Sequence, residues 1–117
     1  SGDDLPAVPP EASLRDALME ISRKGLGLTA VVDTGGRPQG IFTDGDLRRW
    51  LVAGGKLEAR VSEAMTRGGL TLNADSRAIE AKEVLMKRKI TAAPVVDENG
   101  KLTGAINLQD FYQAGII

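Results

Sequence analysis

The chain has 117 residues, of which 15 are basic and 16 acidic, so its net charge at pH 7 is −1. This balance does not predict a nucleic-acid-binding surface, and no apolar run approaches the roughly 18 residues that cross a bilayer. Cysteine and histidine are absent, which excludes disulfides, thiolate chemistry, most zinc sites and the commonest acid/base side chain. We therefore expect no metal and no nucleic-acid or membrane partner.

The first predicted elements are a short strand near Ala7 and Val8 and a helix that begins after Ser13. The segment before the helix is acidic and rich in proline, without the basic and apolar regions of a signal peptide, so we expect a soluble, cytoplasmic protein. Ser13 and Asp16 have the spacing of a capping box. Apolar residues at i, i+3, i+4 and i+7 predict one buried helix face, formed by Leu14, Ala17, Leu18 and Ile21.

A hairpin and a second helix are predicted next. The apolar run Leu28 to Val32 and the run Gln39 to Phe42 flank the turn Asp33-Thr34-Gly35-Gly36, and a glycine turn between such runs favours a β-hairpin. The second helix is predicted over Asp44 to Ala53. We interpret the stretch Gly54 to Thr66 as a linker.

The same pattern recurs 64 residues later. Of the seventeen positions from Val31 to Leu47, six are identical in the second half, where about one is expected by chance. The identical pairs are Val31–Val95, Val32–Val96, Asp33–Asp97, Gly36–Gly100, Gly40–Gly104 and Asp46–Asp110. The second half accordingly predicts a strand over Leu70 to Leu72, a helix capped by Ser76, a hairpin of Ala93 to Val96 with Leu102 to Ile106, and a helix over Leu108 to Ala114.

An internal repeat of this kind decides the fold prediction. We predict an α/β (α+β) fold with two β-α-β-β-α repeats, residues 1–56 and 57–117, packed around a pseudo-two-fold axis. Each unit leaves one sheet face bare, and two copies bury these faces together. This packing leaves two related clefts between the copies, which is a favoured position for ligands.

The segment from Gly40 to Leu47, repeated in register, resembles the CBS (cystathionine-β-synthase) domain family. That family is marked by a Gly-hydrophobic-x-Thr/Ser-x-x-Asp segment after the last strand of each copy. The segment from Ile90 to Asp97 is similar to the other common segment of the family. The resemblance covers nearly the whole chain and implies a regulatory module that senses a ligand and has no catalytic residues or cofactor of its own.

Three segments carry a narrower resemblance, to the C-terminal CBS pair of bacterial arabinose-5-phosphate isomerases of the Kdo pathway: Ser13 to Leu18, Gly40 to Arg49 and Gln109 to Ile117. It implies a parent chain whose separate sugar-isomerase domain interconverts ketose and aldose. It also implies CMP-Kdo as the ligand, since this end product combines a ribose diol, a phosphate and a carboxylate. An adenine nucleotide is the alternative ligand, and a purely structural oligomerisation module is the alternative function.

Four candidate ligand-binding residues lie at the start of the second helix. Thr43 and Asp46 have capping-box spacing, which a structural role alone explains. The family resemblance implies that the Thr43 hydroxyl also contacts a phosphate or sugar and that Asp46 accepts from a sugar cis-diol, because an ionised carboxylate only accepts. Arg48 and Arg49 are either solvated or paired with an anionic ligand group in a bidentate fork.

The second repeat supplies the other candidates. Asp110 takes the place of Asp46, and Asn107, a good helix cap, takes the place of Thr43. Thr91, Ala92 and Ala93 enter a strand at the expected cleft, where their backbone groups either read a base edge or pair within the sheet. Trp50 and Tyr112 are expected between copies or subunits. Apolar residues on the second helices predict a homodimer or higher homo-oligomer, namely Leu47, Leu51, Phe111, Ile116 and Ile117.

Overall fold

The structure is a computed structural model that describes residues 7–24, 27–68, 71–74, 77–88 and 92–107. Its elements, in chain order, are β1 (Ala7–Val8), α1 (Leu14–Lys24), β2 (Leu28–Val32), β3 (Pro38–Thr43), α2 (Asp44–Val52), α3 (Val61–Ala64), β4 (Thr66–Arg67), β5 (Leu72–Asn73), α4 (Ala78–Lys87), β6 (Ala92–Val96) and β7 (Leu102–Asn107). None of these described helices is long and apolar enough to span a membrane.

The strands form two sheets with the same internal order. The first is β1-β2-β3-β4 and the second is β5-β6-β7. In each, the short first strand is parallel to the next one, which is antiparallel to the third. This arrangement confirms the predicted α/β (α+β) fold of two repeats. The helix predicted over Leu108 to Ala114 lies outside the described residues.

The two hairpins repeat each other in register. Leu28 pairs with Thr43 in the first, and Ala92 pairs with Asn107, 64 residues further on, in the second. The turns also correspond, because Asp33 Oδ1 accepts from the N–H groups two and four residues later at 2.9 and 3.0 Å, as Asp97 Oδ1 does at 2.8 and 3.0 Å. Glycine is required at the end of each turn, since Gly36 and Gly100 have φ angles of 82° and 80°.

Each repeat has a hydrophobic cluster of its own. Three of the four predicted stripe residues of α1, Leu14, Ala17 and Ile21, are buried, and Leu18 is half-buried. They pack with Val8, Val31, Phe42 and Val61, whereas Leu72, Ala81, Leu85 and Ala93 form the second cluster.

The caps of the two long helices differ. The Asp16 N–H donates to Ser13 Oγ at 3.0 Å, so Ser13 caps α1 as predicted. By contrast, α4 begins at Ala78 with Arg77 in the cap position and no side-chain cap hydrogen bond. This start is one residue later than a Ser76 cap predicts, and Ser76 itself lies outside the described residues.

The segment interpreted as a linker is an ordered part of the first repeat. It contains α3 and the start of β4, and its Ala59 and Leu57 carbonyls accept from the N–H groups of Leu14 and Arg15 at 3.0 and 3.1 Å. The first N–H groups of a helix have no partner within it, so the linker caps α1. An ion pair of 2.7 Å between Arg15 and Glu58 accompanies these bonds.

Trp50 anchors the other end of this segment. Its Nε1 donates to the Lys56 carbonyl at 2.9 Å, and a Cβ on Gly55 would overlap its indole ring. Trp50 therefore packs against the first cluster within the chain, and its predicted place between copies or subunits stays a prediction. A polar indole N–H needs a partner when half-buried, and the linker supplies one. Tyr112 lies outside the described residues.

Candidate functional site

The candidate site is built on the junction where β3 ends at Thr43 and α2 begins. Thr43 has an extended backbone (φ −121°, ψ 171°), and its Oγ1 accepts from the Asp46 N–H at 3.2 Å. In return, Asp46 Oδ2 accepts from the Thr43 N–H at 3.0 Å. This is the reciprocal capping box that the spacing predicts, and such caps stabilise a helix by about 1 kcal/mol.

Asp46 does more than cap the helix. It is 5% exposed, and its Oδ2 also accepts from the Thr43 hydroxyl at 3.1 Å. Its Oδ1 accepts from Arg49 Nη2 at 2.6 Å and from the Thr66 hydroxyl at 2.9 Å. A carboxylate has about four lone-pair positions, so these four bonds fill them. The pairing explains how a buried charge is tolerated here.

The two neighbouring arginines differ in their environment. The Arg49 side chain is 72% exposed, yet its guanidinium folds back over the helix start, where a Cβ on Gly45 would lie 3.4 Å from Nη1. Arg48 is also exposed, but among the described contacts only Arg49 pairs with Asp46. The structure therefore brings Thr43, Asp46 and Arg49 together and leaves Arg48 on the surface.

Thr66 is the member of this network that the sequence analysis missed. It pairs with Ile41 across the short β3–β4 ladder. The ladder depends on Gly40, because a Cβ there would lie 2.5 Å from the Thr66 carbonyl oxygen and 3.0 Å from Met65 Sδ. In the sequence, only the glycine shared by the two repeats at this position indicates that another backbone comes close to β3. It does not indicate that this backbone is β4.

A narrow cleft lies between the two repeats. None of the network residues lines it, and the connection is Ile41, which lines the cleft and pairs with Thr66. The cleft has a volume of about 30 Å³, which is room for one or two water molecules. It is lined by Pro38, Gln39, Gly40, Ile41, Gly68, Thr71 and Pro94. The two hairpins also contact each other, since the Leu102 N–H donates to the Gly36 carbonyl oxygen at 2.9 Å.

The second repeat contributes only part of the predicted site to the described residues. Ala92 and Ala93 pair with Asn107 and Ile106 in the β6–β7 ladder, and Ala93 is buried. Their backbone groups thus take part in ordinary strand pairing. Asn107 occupies the ladder position that corresponds to Thr43. Thr91 and Asp110 lie outside the described residues.

A larger cavity, of about 180 Å³, lies at the far end of the first sheet. It is lined by Ala7, Val8, Pro9, Pro10, Glu11, Val32, Asp33 and Thr34. None of the predicted site residues is among them, because the cavity is at the carboxyl ends of β1 and β2 whereas Thr43 pairs with the first residue of β2.

Two sheets of the same order, with a capped helix after the first hairpin, define a CBS domain pair. The family model for the CBS domain matches residues 2–53 and 61–116, and the chain belongs to this family. A solved structure of CBSX2 in complex with AMP has the same fold, with a TM-score of 0.80 and 26% identity over 97% of this chain and 89% of that one.

Two curated relatives narrow the class of protein further. The chain is 73% identical over 115 residues to the arabinose 5-phosphate isomerase GutQ of Shigella flexneri, covering 98% of this chain and 36% of that protein. It is 44% identical over 118 residues to the arabinose 5-phosphate isomerase KdsD of Yersinia pestis, covering 100% of this chain and again 36% of that protein. The chain thus spans about a third of the length of these relatives.

Proposed function

We propose that this chain is the regulatory, ligand-sensing CBS pair of an arabinose-5-phosphate isomerase, and that it binds a nucleotide or nucleotide-sugar such as CMP-Kdo between its repeats. The identity to two isomerases over essentially the whole chain supports this parent. The matched part is 36% of each relative, so the rest of their length is available for a catalytic sugar-isomerase domain. We keep residues 1–56 and 57–117 as the two repeats that the sequence predicts, with residues 57–67 packed against the sheet and core of the first one.

The observation that carries the proposal is the buried Asp46 carboxylate beside the inter-repeat cleft. Ile41 lines the cleft and pairs with Thr66, whose hydroxyl donates to Asp46. A carboxylate in this position can exchange its present donors for the two hydroxyls of a ribose diol. The proposed ligand-binding residues are Thr43, Asp46, Arg48, Arg49, Thr91, Ala92, Ala93, Asn107 and Asp110.

The size of the cleft has a consequence for regulation. A volume of about 30 Å³ is far below the few hundred Å³ of a typical ligand site. A nucleotide therefore enters only if the repeats move apart at β3 and β6. A ligand that binds the open arrangement better shifts the population toward it, and this shift is the signal that the pair passes to its parent.

Two alternatives have specific support. CBSX2, which has the same fold, is in complex with AMP, and this supports an adenine nucleotide as the alternative ligand. A purely structural role is favoured by Leu51 and Val52 of α2, which are 46% and 84% exposed, since exposed apolar neighbours often mark an interface.

A thermal-shift panel separates these functions. We expect CMP-Kdo to raise the melting temperature more than CMP, Kdo, AMP or ATP, because a ligand at a hundred times its Kd stabilises the fold by about 2.7 kcal/mol. Shifts with AMP or ATP alone would favour the adenine-nucleotide alternative. No shift with any compound at millimolar concentration would leave the oligomerisation module as the better proposal.

A further inference from the structure

The Asp46 carboxylate cannot bind a diol in its present arrangement. All of its roughly four acceptor positions are filled, by two donors from Thr43 and one each from Arg49 and Thr66. A vicinal diol brings two O–H donors. Two of the present donors must therefore leave before the diol enters.

The donors on Oδ1 are those that can leave. The Thr43 N–H and hydroxyl on Oδ2 belong to the capping box and are held by the start of α2. Arg49 reaches Oδ1 at 2.6 Å through a side chain that is 72% exposed, so its guanidinium can swing into solvent without repacking. Thr66 reaches the same oxygen at 2.9 Å from a different element, β4.

Displacing Arg49 breaks an ion pair as well as a hydrogen bond. The first two turns of α2 carry Asp44, Asp46, Arg48 and Arg49, whose formal charges cancel. A ligand that offers only a diol hydrogen-bonds to the Asp46 carboxylate and leaves the Arg49 guanidinium without a partner anion. A ligand with an anionic group next to the diol supplies a replacement anion, to which a guanidinium binds in a bidentate fork.

We propose that Arg49 is a specificity-determining residue: it blocks Asp46 in the free protein and moves to the ligand's phosphate or carboxylate when the diol binds. This inference rests on the proposed function and states which ligands the site accepts. The site then selects anionic nucleotides over neutral nucleosides with the same sugar and base. Arg49, and not its neighbour Arg48, has this role because only Arg49 pairs with Asp46 among the described contacts.

The test compares two ligand pairs, AMP with adenosine and CMP with cytidine, by calorimetric titration of the wild type and Arg49→Met. We expect nucleotide affinity to fall about tenfold in the variant, because a charge-assisted partner is lost. Nucleoside affinity should rise about two- to fivefold, because the Arg49 guanidinium no longer competes with the diol for Asp46. The nucleotide-to-nucleoside ratio should therefore fall at least tenfold.

Three further variants isolate the cause. Arg49→Gln keeps a donor for Oδ1 but no charge, and it should also lower the ratio. Thr66→Val frees the same oxygen without removing a cation, so both ligands should bind slightly more tightly at an unchanged ratio. Arg88→Met, an exposed position at the end of α4, removes one positive charge elsewhere and should alter neither affinity.

The outcomes distinguish the inference from the function beneath it. If the wild type binds nucleotides but neither Arg49 variant changes the nucleotide-to-nucleoside affinity ratio, the proposed role of Arg49 is wrong and the sensor function is unaffected. Wild-type protein that binds none of the four ligands, nor CMP-Kdo, would overturn both. Melting curves of each variant without ligand verify that the fold is retained.

Discussion

Asp46 combines two roles in one carboxylate, and its hydrogen bonds show how they are connected. Its donors come from the end of β3, from α2 and from β4. The residue that caps the helix therefore also fixes β4 against β3, next to the cleft. On the proposed function, a ligand that withdraws Asp46 from Thr66 removes one of the contacts that hold this ladder.

The first residue-scale prediction is that Asp46→Asn weakens both the fold and ligand binding. Asn keeps one acceptor oxygen but places an NH2 group where the other oxygen now accepts, so at least one donor loses its partner. We expect a loss of about 1–3 kcal/mol in the free energy of unfolding, the usual cost of a buried unsatisfied group. Affinity for the nucleotide should fall roughly ten- to hundredfold.

Urea denaturation and calorimetry measure the two effects separately. Asp44→Asn is the matched control, since it makes the same change of charge at an exposed position in the same helical turn. We expect it to change stability by less than about 1 kcal/mol. Equal nucleotide affinities for wild type and Asp46→Asn would remove Asp46 from the site and leave only its capping role.

At the scale of elements, the helices and strands that depend on signals within their own segment were predicted best. The predicted helix over Asp44 to Ala53 is observed as Asp44–Val52, and the predicted strand Gln39 to Phe42 as Pro38–Thr43. Helix caps, apolar periodicity and glycine turns all act within a few residues, so a single segment carries its own evidence.

The elements that were missed depend on distant partners. The linker prediction overlooked α3 and β4, because Val61 is buried by α1 and the first sheet and Thr66 pairs with β3. The same reason applies to the site. The capping box of Thr43 and Asp46 was predictable from a spacing of three, whereas the Thr66 hydroxyl reaches Asp46 across twenty residues.

The element-scale prediction is that α2 mediates self-association. Leu51 and Val52 form an apolar pair at the end of this helix, exposed by 46% and 84%. Burying such residues contributes about 25 cal/mol per Å², so two charges there should oppose association. We expect a dimer or higher oligomer for wild type in sedimentation velocity, and a shift toward monomer for the Leu51→Glu/Val52→Glu variant.

The control for this experiment is Ile79→Glu on α4. Ile79 is 54% exposed, so the substitution makes a similar chemical change on a helix to which we assign no interface. It should leave the sedimentation profile unchanged. A wild-type protein with the mass of a monomer at every concentration would contradict the prediction.

At the scale of the whole molecule, the described residues of the two repeats form two hydrophobic clusters. Each repeat has its own cluster, and β3 and β6 meet between them around the narrow cleft. On the proposed function, a ligand that favours the opened cleft shifts the population of the pair toward that arrangement.

The same organisation predicts that the chain has no isomerase activity of its own. Aldose–ketose isomerisation moves a proton between neighbouring carbons and needs a positioned base, but the chain contains no histidine. Among the described residues, Asp33 and Glu58 have clearly lowered pKa values: Asp33 because it accepts the backbone N–H of Arg37, and Glu58 because it accepts a hydrogen bond from Arg15.

A lowered pKa makes a carboxylate a weaker base. We therefore expect no conversion of arabinose 5-phosphate above the buffer background, measured by the appearance of the ketose over a range of protein concentrations. Trace contamination gives a rate that varies between preparations, so independent purifications and a heat-denatured sample are the controls. A rate proportional to the concentration of folded chain, and the same in every preparation, would show that the pair contains a catalytic site.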